Sequence, residues 1–220
     1  MRDNEGEFVS TLNLPSETTL ANQCREFGVR LLEEIPHPGL ASAKDLSGLS
    51  PALRTWPGRN HPKAGKWLHE RYAMPGTDCA DPMHGAGALW LMTGCCDLHV
   101  AEIEMAPGGG DARSWRPTSD VGLVMFSPPF RQNHSCGATD HQQQIRAAKG
   151  LHAMQAFGSH PSNLAQMSEK DFWLAMVQVY RIALSYTVVQ GHMVVILRNF
   201  IRGGIESTTV RSHVERMKIA

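Results

Sequence analysis

Three short segments of the chain carry residue types that could bind a ligand and act on it. The first runs from Asp81 to Gly87 and combines an acidic residue with two glycines. The second contains Glu102 and Glu104, and the third is Ser127-Pro-Pro-Phe130. Glycines let a backbone approach a ligand closely, carboxylates accept hydrogen bonds from sugar hydroxyls, and an aromatic ring stacks on a flat base.

Each of these segments lies where a predicted strand ends. The predicted strands cover residues 77–82, 98–103, 121–126 and 191–197. The predicted helices that alternate with them cover residues 64–73, 88–93 and 172–183. This alternation predicts an α/β fold in which a mostly parallel central sheet is flanked by helices. Because ligands bind beyond the carboxyl ends of parallel strands, we expect all three segments at one edge of the sheet.

The composition limits the partners that the chain can have. Its 220 residues are 42% apolar and 19% charged, which suits one α/β domain with a sizeable core. The formal net charge is zero, so nucleic-acid binding would require a local basic surface. The five cysteines are an odd number and a poor disulfide framework, which indicates a reducing compartment.

The sequence carries no export or membrane signal. The first ten residues lack an apolar segment, and the longest apolar runs, such as Met193–Leu197, are far shorter than the roughly 20 residues that a bilayer requires. We therefore predict a cytoplasmic protein with no membrane partner. Weak patterns over residues 1–55 predict an N-terminal extension packed on a main domain of residues 56–220.

The histidines and cysteines do not predict a metal site. His134, Cys136 and His141 fit no standard zinc spacing and lack a fourth ligand. Cysteines 79, 95 and 96 are predicted to be buried thiols, because free cysteine is among the most buried residue types.

The order of the motifs resembles the amino-directed DNA methyltransferases, which methylate cytosine N4 or adenine N6. In that family a D-P-F-x-G-S-G-T-like loop binds S-adenosylmethionine, and an [SDN]-P-P-[YFW] tetrad holds the target base. Asp81-Pro82 with Gly85-Ala86-Gly87 is similar to the loop, and Ser127–Phe130 is similar to the tetrad in the form most often linked to cytosine N4. Asn60–Lys63 resembles the stretch before the loop, and Gly110–Arg113 resembles the segment whose Asp contacts the cofactor adenine.

The resemblance implies a Rossmann-like methyltransferase fold and a site-specific DNA methyltransferase whose catalytic domain is residues 56–220. Its implied partners are S-adenosylmethionine, double-stranded DNA and, in a restriction-modification system, a cognate restriction endonuclease. The implied cofactor-binding residues are His61, Asp81, Pro82, Met83, Gly85, Gly87, Glu102 and Asp111. The implied catalytic residues are Ser127, Pro128, Pro129 and Phe130.

The chemistry of the tetrad agrees with amino methylation. An exocyclic amino group is a poor nucleophile, because its lone pair is delocalised into the base. Acceptors on its N–H bonds, here the Ser127 hydroxyl and the Pro128 carbonyl, would make the nitrogen more electron-rich, and Phe130 would stack on a base flipped out of the duplex. No covalent enzyme intermediate is needed, unlike cytosine C5 chemistry.

Two alternatives remain open at this point. The same geometry serves RNA and protein amide substrates in related families. The chain also ends about 20 residues after its last predicted strand, where the family adds a further hairpin, which predicts a fold truncated at the C-terminus and allows an inactive remnant.

Overall fold

A computed structural model describes residues 41–42, 44–54, 60–95, 97–100, 111–129, 144, 148, 163–164, 167–197, 201–202, 205–206, 209–218 and 220. The elements in chain order are α1 (Pro51–Arg54), α2 (Pro62–Tyr72), β1 (Asp78–Asp81), β2 (Leu98–Val100), β3 (Val121–Phe126), α3 (Glu169–Ser185), β4 (Thr187–Val195), β5 (Ile201–Arg202), β6 (Ile205–Glu206) and α4 (Thr209–Met217). The predicted domain boundary at residue 55 lies outside the described residues, as do Glu102 and Phe130.

The main sheet has four parallel strands in the order β2-β1-β3-β4. In β1, Ala80 lies opposite His99 of β2 on one side and Val124 of β3 on the other. The predicted α/β, Rossmann-like class with a parallel sheet is therefore confirmed. The chain moves from β1 to β2 on one side and to β3 and β4 on the other, so the strand order reverses between β1 and β3. In open parallel sheets this reversal opens a crevice at the carboxyl ends of the strands.

The core forms where β3 meets α3. All six residues of β3 are buried, as its continuous apolar run predicts for a central parallel strand. Helix α3 buries Phe172, Met176, Val179 and Tyr180, which recur at helical spacing and form one stripe. The ring centroids of Tyr180 and Phe126 lie 6.1 Å apart, so this stripe packs directly on the sheet.

Helix α2 packs closely on the chain that follows β1. A Cβ atom built on Gly65 would lie 1.7 Å from the Leu89 carbonyl oxygen, so only glycine allows this approach. The helix predicted over residues 88–93 is wrong, since these residues form successive turns in which Trp90 N–H donates to Gly87 O and Thr93 N–H donates to Trp90 O, both at 3.1 Å. Gly87 has a φ of +73°, which is incompatible with a right-handed helix, so no regular helix begins at this residue.

The C-terminal half departs from the predicted pattern in two places. Strand β4 begins at Thr187, four residues before the predicted 191, and the pairing of β3 with β4 shifts register between Val121 and Leu123. Gln190 in that stretch has a φ of +69°. After β4, strands β5 and β6 form a separate antiparallel pair.

No helix among the described residues is long and apolar enough to cross a membrane.

Candidate functional site

Two of the three sequence segments leave the sheet at the same edge. Strand β1 ends at Asp81 and its neighbour β3 ends at Phe126, and the two strands run parallel. The chain after each strand, Pro82–Gly87 and Ser127–Pro129, therefore starts at the carboxyl edge of adjacent strands, on either side of the point where the strand order reverses. We call these two segments together the carboxyl-edge site.

The first segment is a tight loop that depends on its glycines. Gly85 and Gly87 have φ values of +53° and +73°, a region that residues with a side chain rarely adopt. Gly87 N–H donates to His84 O at 2.9 Å, and a Cβ on Gly87 would lie 2.7 Å from Cε1 of the His84 ring. The half-buried His84 thus lies against the backbone of Gly87, and burial lowers the pKa of its imidazole.

Asp81 holds this loop in shape through two hydrogen bonds to its buried carboxylate. The residue is 1% exposed, and its two carboxylate oxygens accept hydrogen bonds from Met83 N–H at 2.8 Å and from the Trp90 indole N–H at 2.7 Å. Burial raises the pKa of Asp81 to about 7. Pro82 is also buried. Both residues therefore shape the loop from inside, whereas the half-buried Met83 and Gly85 lie nearer its surface.

The second segment presents an oriented hydroxyl group. Ser127 Oγ donates to the carbonyl oxygen of Ile196 at 3.0 Å, and Ile196 N–H donates to Phe126 O at 2.9 Å. Because its proton is used in that bond, the Ser127 hydroxyl keeps its lone pairs for an incoming N–H group. Pro128 is buried and Pro129 is half-buried, so the turn is held by the core on one side.

His61 contacts residues at and near the start of α2. It caps the N-terminus of α2, with Nδ1 accepting from Lys63 N–H at 3.2 Å, while Nε2 lies 3.6 Å from Asp45 Oδ2. The buried ring thus fixes the start of α2. Nothing in these contacts brings His61 to the carboxyl-edge site.

Asp111 is also held by its own neighbours. Its carboxylate accepts from the backbone N–H and the side-chain Nε of Arg113, each at 2.9 Å, and pairs with the rest of that guanidinium group. The Gln178 amide of α3 donates to Arg113 O at 2.8 Å, so this turn is fastened beside α3. The predicted contact of Asp111 with a cofactor adenine would require the Arg113 pair to rearrange.

At the amino edge of the sheet, Asp78, His99 and Ser119 meet in a cluster that the sequence did not point to. Ser119 Oγ donates to Asp78 Oδ2 at 2.6 Å, and His99 Nε2 lies 2.8 Å from the same oxygen. These hydrogen bonds lower the pKa of Asp78. Serine and aspartate both face the same ring nitrogen, so His99 is not placed to take a proton from Ser119 while Asp78 orients its other nitrogen. The cluster therefore joins β1, β2 and the segment just before β3.

A second cluster combines His69, Cys79 and Cys95, whose ligand atoms all lie within 4.8 Å of one another. The sequence does not predict this cluster, because His69 and Cys79 are ten positions apart, Cys79 and Cys95 are sixteen apart, and the spacing matches no metal-binding pattern. Cys79 is buried as predicted, Cys95 is only half-buried, and Cys96 lies outside the described residues.

No protein-family model, curated protein or solved structure matches this chain. The function must therefore be inferred from the geometry and chemistry of its own residues.

Proposed function

We propose that the chain is an S-adenosylmethionine-dependent methyltransferase acting on the exocyclic amino group of a base in double-stranded DNA, with cytosine N4 favoured over adenine N6. One observation carries the proposal: a glycine loop and a Ser-Pro-Pro turn leave adjacent parallel strands where the strand order reverses. Reacting atoms must approach to about 3–3.5 Å before transfer, so a donor segment and an acceptor segment have to share one crevice.

The loop after β1 suits a cofactor held by backbone atoms. Gly85 and Gly87 give the turn its left-handed backbone, and the His84 ring covers the buried Gly87, so a ligand that meets the Gly87 backbone would have to displace that ring. Asp81 holds that turn in shape through Met83 and Trp90. The cofactor, when bound, supplies an electrophilic methyl group on a cationic sulfur. A cation above the loop would favour the ionised form of the buried Asp81, whose pKa is about 7 without it.

The turn after β3 suits the methyl acceptor. Ser127 Oγ donates a hydrogen bond to Ile196 O and can accept one from the amino group of a base. The carbonyl of Pro128 is a second acceptor, and consecutive prolines restrict its direction. Two acceptors on one amino group draw its lone pair out of conjugation, so catalysis rests on positioning and on pre-oriented acceptors. In this proposal, Phe130 stacks on the base and Glu102 binds the cofactor ribose.

The test is methyl transfer from labelled S-adenosylmethionine to unmethylated duplex DNA, followed by nucleoside analysis. We expect N4-methylcytosine and about a 100- to 1,000-fold loss of rate in Ser127→Ala, in line with removal of one pre-oriented polar group. Ser185→Ala is the matched control, since its hydroxyl also donates to a backbone carbonyl, Ile182 O at 2.9 Å, but at the far end of α3.

Three outcomes would contradict the proposal. Label in RNA or in protein amide but not in DNA would move the substrate to another class. Absence of cofactor binding at millimolar concentration would identify an inactive remnant. Full activity of folded Ser127→Ala would remove the assigned role of the turn.

A further inference from the structure

A compact group of soft metal ligands lies near the starts of β1 and β2. His69 comes from α2, Cys79 from β1, and Cys95 from the chain just before β2. The three ligand atoms lie within 4.8 Å of one another, although the residues are far apart in sequence. Cys79 is 1% exposed, while His69 and Cys95 are half-buried, so the cluster is built into the core and still reaches solvent.

The donor set matches zinc in softness, and its spacing is close to that of a zinc site. Two thiolates and one imidazole are ligands that Zn²⁺ prefers, at about 2.3 Å for sulfur and 2.0–2.1 Å for nitrogen. Tetrahedral bonds of those lengths place the ligand atoms about 3.6–3.8 Å apart. The observed upper limit of 4.8 Å therefore requires only a small inward movement of side chains that already face one another.

The protonation states of the ligands are compatible with this chemistry. Burial lowers the pKa of His69, so its imidazole is neutral near pH 7 and a ring nitrogen can bind a metal. Cysteine binds zinc as the thiolate, so binding releases the protons of both thiols and zinc affinity at this cluster should increase with pH.

We propose that His69, Cys79 and Cys95 form a zinc site with three protein ligands and a solvent molecule in the fourth position. The half-exposure of His69 and Cys95 leaves that position open to water. The ion would join α2, β1 and the segment before β2. This proposal does not depend on the methyltransferase function.

The proposed zinc site is linked to the loop after β1 by one ring contact and one hydrogen bond. The ring of His69 lies edge-on to Trp90, with centroids 6.2 Å apart, and the Trp90 indole donates to Asp81 beneath the loop. Fixing His69 would therefore restrict Trp90 and, through it, the support of the loop. We expect zinc to raise the melting temperature of the chain as well as to bind it.

The direct test uses the full chain, purified under reducing conditions and stripped with a chelator. Titration with ZnCl₂ against a chromophoric competitor should give one ion per chain. Titration with CoCl₂ should give thiolate-to-cobalt charge-transfer absorption and the intense visible bands of a tetrahedral site. A cobalt titration of the fully reduced chain without these bands would overturn the proposal.

Matched variants locate the ion. We expect His69→Gln and Cys95→Ser to weaken zinc binding by about 100-fold or more, since loss of an outer-shell partner alone costs 10- to 100-fold. His192→Gln, at an exposed position of β4, is the control and should bind zinc like the unaltered chain. Unchanged zinc affinity in folded His69→Gln and Cys95→Ser would show that the ion binds elsewhere and would refute the site. If either variant fails to fold, the cobalt spectrum of the unaltered chain tests the site instead.

Discussion

Asp81 is buried beneath the loop after β1, where its carboxylate receives hydrogen bonds from a backbone N–H and an indole N–H. These two bonds favour the ionised form, but burial outweighs them and raises the pKa of the group to about 7. Asp81, which the resemblance implies to be a cofactor-binding residue, therefore supports the backbone that would contact the ligand.

The buried Asp81 makes a specific contribution to the pH dependence of stability. Between about pH 4 and pH 7 the unfolded chain has lost a proton that folded Asp81 retains, so this group's contribution to the free energy of unfolding falls as pH rises. The slope is at most about 1.4 kcal/mol per pH unit, and it disappears above pH 7. Urea unfolding of the wild type and of Asp81→Asn at several pH values should give a difference that declines over this range. A difference that is flat or rising would show that Asp81 is ionised in the folded chain.

Gly87 makes a second prediction at the residue scale. Gly87→Ala would place a Cβ 2.7 Å from the His84 ring at a φ of +73°, whereas Gly76→Ala has a φ of +74° and no atom within 4 Å. Both variants should lose about 1–2 kcal/mol from the left-handed backbone, and Gly87→Ala should lose more. Only Gly87→Ala should also weaken binding of S-adenosylmethionine, measured by calorimetry. Equal cofactor affinity in the two folded variants would exclude the loop from the binding site.

At the scale of elements, α4 is attached to α3 through a buried polar pair. The Tyr180 hydroxyl and His213 Nδ1 are 2.5 Å apart, and the His213 ring packs edge-on against Phe172 and Trp173. Burial lowers the pKa of His213 to about 4, so the ring is neutral near pH 7 and its Nδ1 can accept a hydrogen bond from the tyrosine hydroxyl. Helix α4 thus buries His213 and Val214 in this contact.

Removing the tyrosine hydroxyl should loosen this attachment. Tyr180→Phe leaves a buried imidazole nitrogen without its partner and should cost about 1–3 kcal/mol in the free energy of unfolding. Tyr72→Phe is the control, because its hydroxyl bonds to Arg71 at the exposed surface, and it should change stability by less than about 0.5 kcal/mol. Denaturant unfolding measures both. If the two variants are equally stable, the pair does not hold α4 in place.

The sequence predicts the elements that have strong local patterns. Strand β3 is a continuous apolar run, and α3 carries an apolar stripe that recurs at helical spacing, so both could be placed from residue types alone. The segment at 88–93 could not, because its path is set by the approach of Gly65 to Leu89, a contact between distant parts of the chain. The burial of Asp81 and the meeting of His69 with two cysteines depend on tertiary packing in the same way.

At the scale of the whole molecule, the described residues before position 55 pack on the chain that continues from the loop. Leu46 and Leu49 form one apolar cluster with Ala86 and Ala88, and Lys63 at the start of α2 pairs with Asp45 at 3.1 Å. The described part of the predicted extension, between residues 41 and 54, therefore contributes to the support of the first segment of the carboxyl-edge site. The sheet brings the two candidate binding segments together, and surrounding packing holds the first in shape.

The most direct measurement of this arrangement is an experimental structure of the chain with S-adenosylhomocysteine, the methylation product. The proposal predicts the ligand against the backbone of residues 83–87, with its sulfur facing the Ser127–Pro129 turn within the reach that methyl transfer requires. A ligand bound at the amino edge near Asp78 and Ser119, or one whose sulfur points away from Ser127, would contradict it.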